Sequence, residues 1–551
     1  MRVLRRLTAF ACASLLLSLA LAPRGDAQSQ AQKPQADAPP FVLGVQTHFE
    51  QGWPPELIPQ AKEFGAPLLR DEIAWSEVET QPGIYDFTGA DSYMLPLASA
   101  GLKLQLVTMD GNPLYDAGMT PHSPEGRAAY ARYLAAVAAR YGTSLTEIEL
   151  GNEVNSGEFL RGPYAEQPAR HLAAQARALR AALPPEQKMI CAGTNTIGLG
   201  FLREFFRWGG LEVCDGISVH PYRDHPETLD LDLARLRALM AEMGGVKPIH
   251  ATEFGIWVED PAEAGPWMLK MVAVMGAAGV QDAIWYALVD EPYWPNMGLL
   301  SPEGAEKPAA ATFRLLQNQL LPKGRPQEIS PSRRSRVYQF GPSAFVLWGS
   351  GAALEITGEM QVLGASGAAI PAPKALSDTP IVLLGPRSGF TLDERSAAHD
   401  QLYEFGTAPW SYFARRPGIG LTPLEIIDDL WTSHRSAPDL APLRISDEWL
   451  TTARFDEGPF HAVERFTVPS SGRYQISGWW RAAEAEEGSK LHLLRGGTEL
   501  ASGEINTEGF TLEPFEVTLE AGDHLDFEIA PAGAQGHGAV ERRIKLLGPL
   551  P

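Results

Sequence analysis

Two glutamates stand in matching surroundings one hundred positions apart. Glu153 follows Glu149-Leu150-Gly151-Asn152, and Glu253 follows His250-Ala251-Thr252 and precedes Phe254-Gly255. Each closes a run of strand-forming residues and is flanked by small or polar neighbours. A carboxylate at the end of a buried strand is costly unless it faces a polar cleft. Two of them at one cleft can take separate roles, one protonated as general acid and one ionised as nucleophile, which is what cleavage of a glycosidic bond requires.

The elements that would carry them follow a repeating plan. Apolar, β-branched runs at 42–47, 67–71, 103–109, 147–151, 189–193, 216–220, 248–252 and 282–286 predict eight strands. Amphipathic stretches at 126–141, 167–183, 229–243, 261–278 and 307–321 predict helices between and after them. Strands alternating with helices in this number predict an α/β fold, a (β/α)8 TIM barrel over 41–322. An open doubly wound sheet is the competitor, but no Gly-rich phosphate turn follows the first strand.

After the break at Pro322-Lys323-Gly324-Arg325-Pro326, short alternating runs predict a small β-domain over 323–389. Residues 390–551 read as a linker and a β-sandwich module of jelly-roll type, which resembles carbohydrate-binding or matrix-attachment modules.

Barrel enzymes place their chemistry where strands end. Those positions here hold His48, Arg70, Asp110 with Asn112, Asn152 with Glu153, Asn195, His220 with Tyr222, Glu253 and Trp285. Arg70 is expected to hold Glu253 ionised, since a nearby cation lowers a carboxyl's pKa. Asn152 suits a sugar hydroxyl, and His220 and Tyr222 can orient either carboxylate. Trp285 offers a flat face to a pyranose ring, with Trp75, Trp257 and Trp294 extending it. His48, Asp110 and Asn112 complete the expected substrate contacts. Glu72, Glu147 and Glu291 read as ordinary surface or loop residues. No ligand spacing of metal type stands out, no G-x-S-x-G turn is present, and no cofactor is expected.

The 551 residues are 44% hydrophobic and 21% charged, a globular profile, and the net charge of −21 argues against nucleic acid or an anionic membrane as partner. Arg2, Arg5 and Arg6, the apolar run 7–21 and Gly25-Asp26-Ala27 read as a secretory signal peptide over 1–27, too short for a membrane anchor. A flexible leader over 28–40 follows, and a secreted or periplasmic location is expected. Cys191 and Cys214 lie at or near predicted strands, where small buried hydrophobes are the favoured reading; a bridge between them stays open.

Several stretches resemble clan A glycoside hydrolases: Gly151-Asn152-Glu153, Thr252-Glu253-Phe254-Gly255, Ser218-Val219-His220-Pro221-Tyr222 and Ile284-Trp285-Tyr286. Arg70-Asp71-Glu72-Ile73-Ala74-Trp75-Ser76, Pro82-Gly83-Ile84-Tyr85-Asp86-Phe87 and Gly298-Leu299-Leu300 before Lys307-Pro308-Ala309 look most like family 39, in its bacterial exopolysaccharide hydrolase branch. The resemblance spans 41–322. It implies a retaining, double-displacement hydrolase of a polysaccharide, with Glu153 as acid/base and Glu253 as nucleophile. The alternative is a catalytically silent glycan-binding protein of the extracellular matrix, which would have no need of the intact Glu/Glu set.

Overall fold

A computed structural model describes residues 39–108, 111–483, 488–531 and 538–550. The expected signal peptide and most of the leader therefore lie outside the described residues. Eight parallel strands close into a barrel in sequential order. They are β1 (Val42–Gln46), β2 (Leu68–Asp71), β3 (Lys103–Thr108), β4 (Leu145–Leu150), β5 (Lys188–Asn195), β6 (Gly216–His220), β7 (Ile249–Phe254) and β8 (Asp282–Trp285). Every expected barrel strand is present, within a few residues of its expected ends.

The period of two along each strand sorts the side chains. Leu43, Val45, Leu69, Leu104, Leu106, Ile148, Leu150, Ile217, Val219, Ala251 and Ala283 are buried in the main hydrophobic core, which the surrounding helices share. The helix Pro124–Tyr141 illustrates how the outer ring forms. Pro124 opens it, the Ser123 side chain caps it by accepting from the Gly126 N–H at 2.9 Å, and Tyr130, Tyr133, Leu134 and Val137 are buried at helical spacing. The opposite set of strand residues is polar. Gln105, Glu147, His250 and Asp282 gather near the strand starts, and Gln46, Arg70, Glu149, His220 and Thr252 lie nearer the strand ends. An interior of this composition is paired rather than greasy, and the pairing carries the site.

Beyond the barrel a five-stranded antiparallel sheet has the order 361–363, 381–384, 344–349, 335–340, 326–328. One of its faces joins the barrel's own core: Tyr338, Phe340, Val346, Trp348 and Val382 belong to the same buried cluster as the helices. Lys270 lies over the Trp348 ring at 5.7 Å, and Arg325 Nε donates to the Gly276 carbonyl at 2.9 Å. The other face has a separate small core around Val337, Phe345, Leu347 and Phe390.

The C-terminal region forms two antiparallel sheets around a third core that includes Trp410, Phe466, Tyr474, Trp480 and Phe527. From Gly458 onward the chain crosses between the two sheets at most connections, the exception being the hairpin 489–505. That is the β-sandwich expected from the sequence. Cys191 and Cys214 are joined in a disulfide with a Cα–Cα distance of 6.1 Å, so the reading of two unpaired buried cysteines is corrected. The start of β6 runs beside β5 and brings the two residues together. Among the described residues no helix is long and apolar enough to cross a membrane.

Candidate active site

The site is built on Arg70, which is 1% exposed at the end of β2. A buried guanidinium needs acceptors for its donors. Nε donates to Glu149 Oε2 at 2.7 Å, Nη1 to Gln46 Oε1 at 2.8 Å and to Glu253 Oε1 at 2.6 Å, and Nη2 to Asn152 Oδ1 at 3.0 Å. Strands β1, β2, β4 and β7 are thereby tied together at their catalytic ends.

Glu253 has both carboxylate oxygens engaged. Arg70 holds Oε1, and the Tyr222 hydroxyl donates to Oε2 at 2.8 Å. Burial alone would raise its pKa, but His220 and Arg70 and the two hydrogen bonds together hold it below the ordinary carboxylate value. The result is an ionised, oriented carboxylate that meets the needs of a nucleophile.

Glu153 is positioned by backbone. Gly151 has φ +109° and Glu153 itself φ +46°, turning the chain sharply after β4. The Glu153 N–H donates to the Gly193 carbonyl at 2.6 Å, where β5 is itself irregular between Cys191 and Thr194. Its carboxylate has one side-chain partner among the described residues, His220, with Nδ1 at 3.3 Å from Oε1.

His220 Nδ1 lies 3.6 Å from Glu253 Oε2 as well, and Nε2 is 3.9 Å from Glu149 Oε1. Burial disfavours the imidazolium, yet the surrounding carboxylates, Glu253 first, raise the His220 pKa above its usual value. One oxygen of Glu153, one oxygen of Glu253 and a nitrogen of His220 all lie within 4.8 Å of one another. Carboxyl groups about 5 Å apart leave room for a sugar carbon to be attacked directly, whereas a wider gap admits a water.

The expected residues divide into three groups. Arg70, Asn152, Glu153, His220, Tyr222 and Glu253 converge as described. His48 is at the same rim, its ring 5.6 Å from that of Tyr286, and burial holds its pKa down to about 4 although Glu253 opposes this. Trp257 and Trp294 stand on the loops after β7 and β8, 51% and 55% exposed.

Trp75, Asn112 and Trp285 are corrected. Trp75 is fully buried, stacked on Tyr115 at 5.3 Å and donating to Glu79 at 2.6 Å, so it packs rather than binds. Asn112 is fully buried and ties the Trp75 and Glu79 carbonyls. Trp285 is fully buried edge-on against Phe254 and Trp267. Asp110 lies outside the described residues.

Strand parity explains the Trp285 error. Asp282 faces the interior, bonded to His250 at 2.7 Å, so Ile284 and Tyr286 share that face and Trp285 turns away. Tyr286 is therefore the aromatic beside the carboxylates, and burial followed by Glu253 raises its pKa. Glu149, Gln46 and Thr252 were also overlooked; Thr252 donates to Glu149 Oε1 at 2.6 Å. The alternation Glu147-Ile148-Glu149 carried the signal, because both acids fall on the face opposite Ile148 and Leu150, which in a barrel strand is the interior. Glu147 is corrected too: it sits with His250 and Asp282 rather than on the surface.

Among the described residues two clusters have the spacing to hold a divalent cation, Glu147/His250/Asp282 and Glu153/His220/Glu253. In the second, Arg70 and Tyr222 already occupy both Glu253 oxygens, which fits a proton-transfer and nucleophile pair better than a metal.

No family model matches this sequence, and no curated protein sequence does. Solved structures do. A family 39 glycoside hydrolase from the gut symbiont Bacteroides cellulosilyticus WH2 is 17% identical, with a TM-score of 0.52 over 63% of this chain and 81% of that one. A family 39 β-xylosidase from Caulobacter crescentus is 17% identical, with a TM-score of 0.46 over 63% of this chain and 98% of its own. A glucosidase from Croceicoccus marinus, 12% identical with a TM-score of 0.46, matches 89% of this chain and 95% of its own. At 17% identity the first of these likenesses is one of fold, and that fold is the closed eight-stranded parallel barrel.

Proposed function

We propose that this chain is a secreted, retaining O-glycoside hydrolase that cleaves a polysaccharide, with Glu253 as nucleophile and Glu153 as acid/base. The observation that carries the reading is the close pair of carboxylates in unlike surroundings: Glu253 bonded by Arg70 and Tyr222, Glu153 bonded only by His220 among the described residues. In the first step Glu253 attacks the anomeric carbon while Glu153 gives its proton to the departing glycosidic oxygen. In the second, the Glu153 carboxylate takes a proton from water, whose oxygen attacks the same carbon and releases Glu253. With its Oδ1 accepting from Arg70, Asn152 has its Nδ2 suited to donate to the sugar 2-hydroxyl.

Exposed Trp257 and Trp294 at the rim favour a polymer, which has rings to stack on them. The Cys191–Cys214 bridge and the basic-apolar N-terminal pattern favour an oxidising, extracytoplasmic destination. A panel of aryl glycosides, followed by reducing-sugar release from purified polysaccharides, tests the activity. Turnover by wild type and none by Glu253→Ala is expected, with proton NMR of the first product giving the retained anomer. Glycan binding with no turnover on either panel would instead favour the silent matrix-protein reading.

A further inference from the structure

The C-terminal region sends one hairpin back onto the barrel, beside the loops after β4 and β5. Its strands are Glu425–Asp428 and Ser433–Ser436, and its tip docks on the loop after β5. The Gly200 N–H donates to the Asp429 carbonyl at 3.0 Å, Asn155 Nδ2 to the Leu430 carbonyl at 2.8 Å, and the Thr196 hydroxyl to the Trp431 carbonyl. Glycine is required beneath it: a Cβ on Gly198 or Gly200 would lie 2.4 Å from the Leu430 or Asp429 oxygen. At the base, Asp428 pairs with Arg235 and, at 3.6 Å, with Arg203. A tip fixed by so many backbone contacts is built to hold its side chains in one place.

The residues that hold the tip lead to the surroundings of Glu153. Asn155, two residues further on, also donates to the Asn195 carbonyl at 2.9 Å and accepts from the Asn195 N–H at 2.8 Å. Thr196 is bridged to His220, the partner of Glu153. Trp431 has its N–H held by Asp429 Oδ1 at 2.8 Å and its carbonyl held by Thr196, yet its side chain is left 44% exposed. A half-exposed indole on a backbone held at both its N–H and its carbonyl offers a flat apolar face of the kind on which pyranose rings stack. The general acid delivers its proton to the leaving oxygen, so its flank is where the departing sugar lies.

We propose that Trp431 is the stacking platform of a sugar subsite on the leaving-group side, so that the C-terminal region completes the substrate cleft. This rests on the hydrolase reading above. The test compares wild type, Trp431→Ala and Trp431→Tyr on two substrate classes. Glycosyl fluorides of the common hexoses and pentoses carry no leaving-group sugar; oligosaccharides of the polysaccharide that wild type cleaves do. Affinity electrophoresis through gels of soluble polysaccharides reads binding independently of turnover.

For Trp431→Ala the ratio of oligosaccharide to fluoride kcat/KM is expected to fall on the order of tenfold, with reduced retardation in the gels, and Trp431→Tyr is expected to restore most of both. Equal losses on the two substrate classes, or no change in ratio and retardation, would overturn the subsite. If wild type turns over nothing, the hydrolase reading fails, and the gels still decide: weaker retardation of Trp431→Ala supports a sugar platform, and equal or absent retardation rejects it.

Discussion

Arg70 Nε donates to Glu149 Oε2 at 2.7 Å, with both side chains at most 2% exposed. The same guanidinium serves Glu253, so one buried cation is shared between Glu149 and the proposed nucleophile. Removing one member of a buried pair leaves an uncompensated charge, which costs about 3–5 kcal/mol. Arg70→Met is therefore expected to lose stability of that order in urea unfolding, and Arg70→Met with Glu149→Gln to recover part of it. Additive losses in this double-variant cycle would mean that the two residues do not act as a pair.

Glu153 and Glu253 are expected to fail differently. Glu153→Ala should lower kcat/KM by about 10²–10⁴-fold on substrates with poor leaving groups and far less on activated aryl glycosides, because only the former need a proton. Glu253→Ala should abolish turnover on both. Rates across a series of leaving-group pKa values read this directly, and a Glu153→Ala loss that ignores leaving group would remove it from the acid/base role.

The pH profile should report His220. Glu253 must be ionised to attack, and its pKa lies below the ordinary 4.5 because the carboxylate's neighbours outweigh its burial, with the imidazolium foremost among them. Activity and the stability this carboxylate contributes are thus retained above the ordinary carboxylate range and lost as pH falls through the lowered value. His220→Asn deletes that cation, so the acid limb of kcat/KM should move to higher pH. An acid limb in the same place would show that His220 does not tune Glu253.

The Cys191–Cys214 bridge closes a segment with a sequence separation of 23. On the chain-entropy account a loop of this size contributes about 3 kcal/mol. Replacing both cysteines with alanine should lower unfolding free energy by that amount, and a reductant should reproduce the loss in wild type. A stability indifferent to reductant would count against the bridge.

The barrel was legible because strand periodicity and strand-end polarity repeat eight times, and each repeat supports the others. Glu153, Glu253, Arg70 and His220 emerged from that frame as polar residues where strands end. What escaped was the direction a side chain takes. Trp285 and Tyr286 are neighbours of similar type, and only the parity set by Asp282 separates a core ring from a cleft ring. Trp75 looked like a platform because an indole in a loop suits a sugar, but Glu79 satisfies its N–H inside the core. The cysteine pairing escaped because it depends on how β5 and β6 stand side by side. The Trp431 hairpin lies far along the chain from the barrel loops it touches, and no local pattern announces such a contact.

The five-stranded sheet after the barrel shares the barrel's own core through Tyr338, Phe340, Val346 and Trp348. For anyone recombining this protein, the change of pattern at residues 322–323 is consequently a misleading place to cut. A fusion or truncation made there would run a seam through continuous apolar packing and bare the helix Ala264–Ala277 to water. Barrel and sheet have to be moved together.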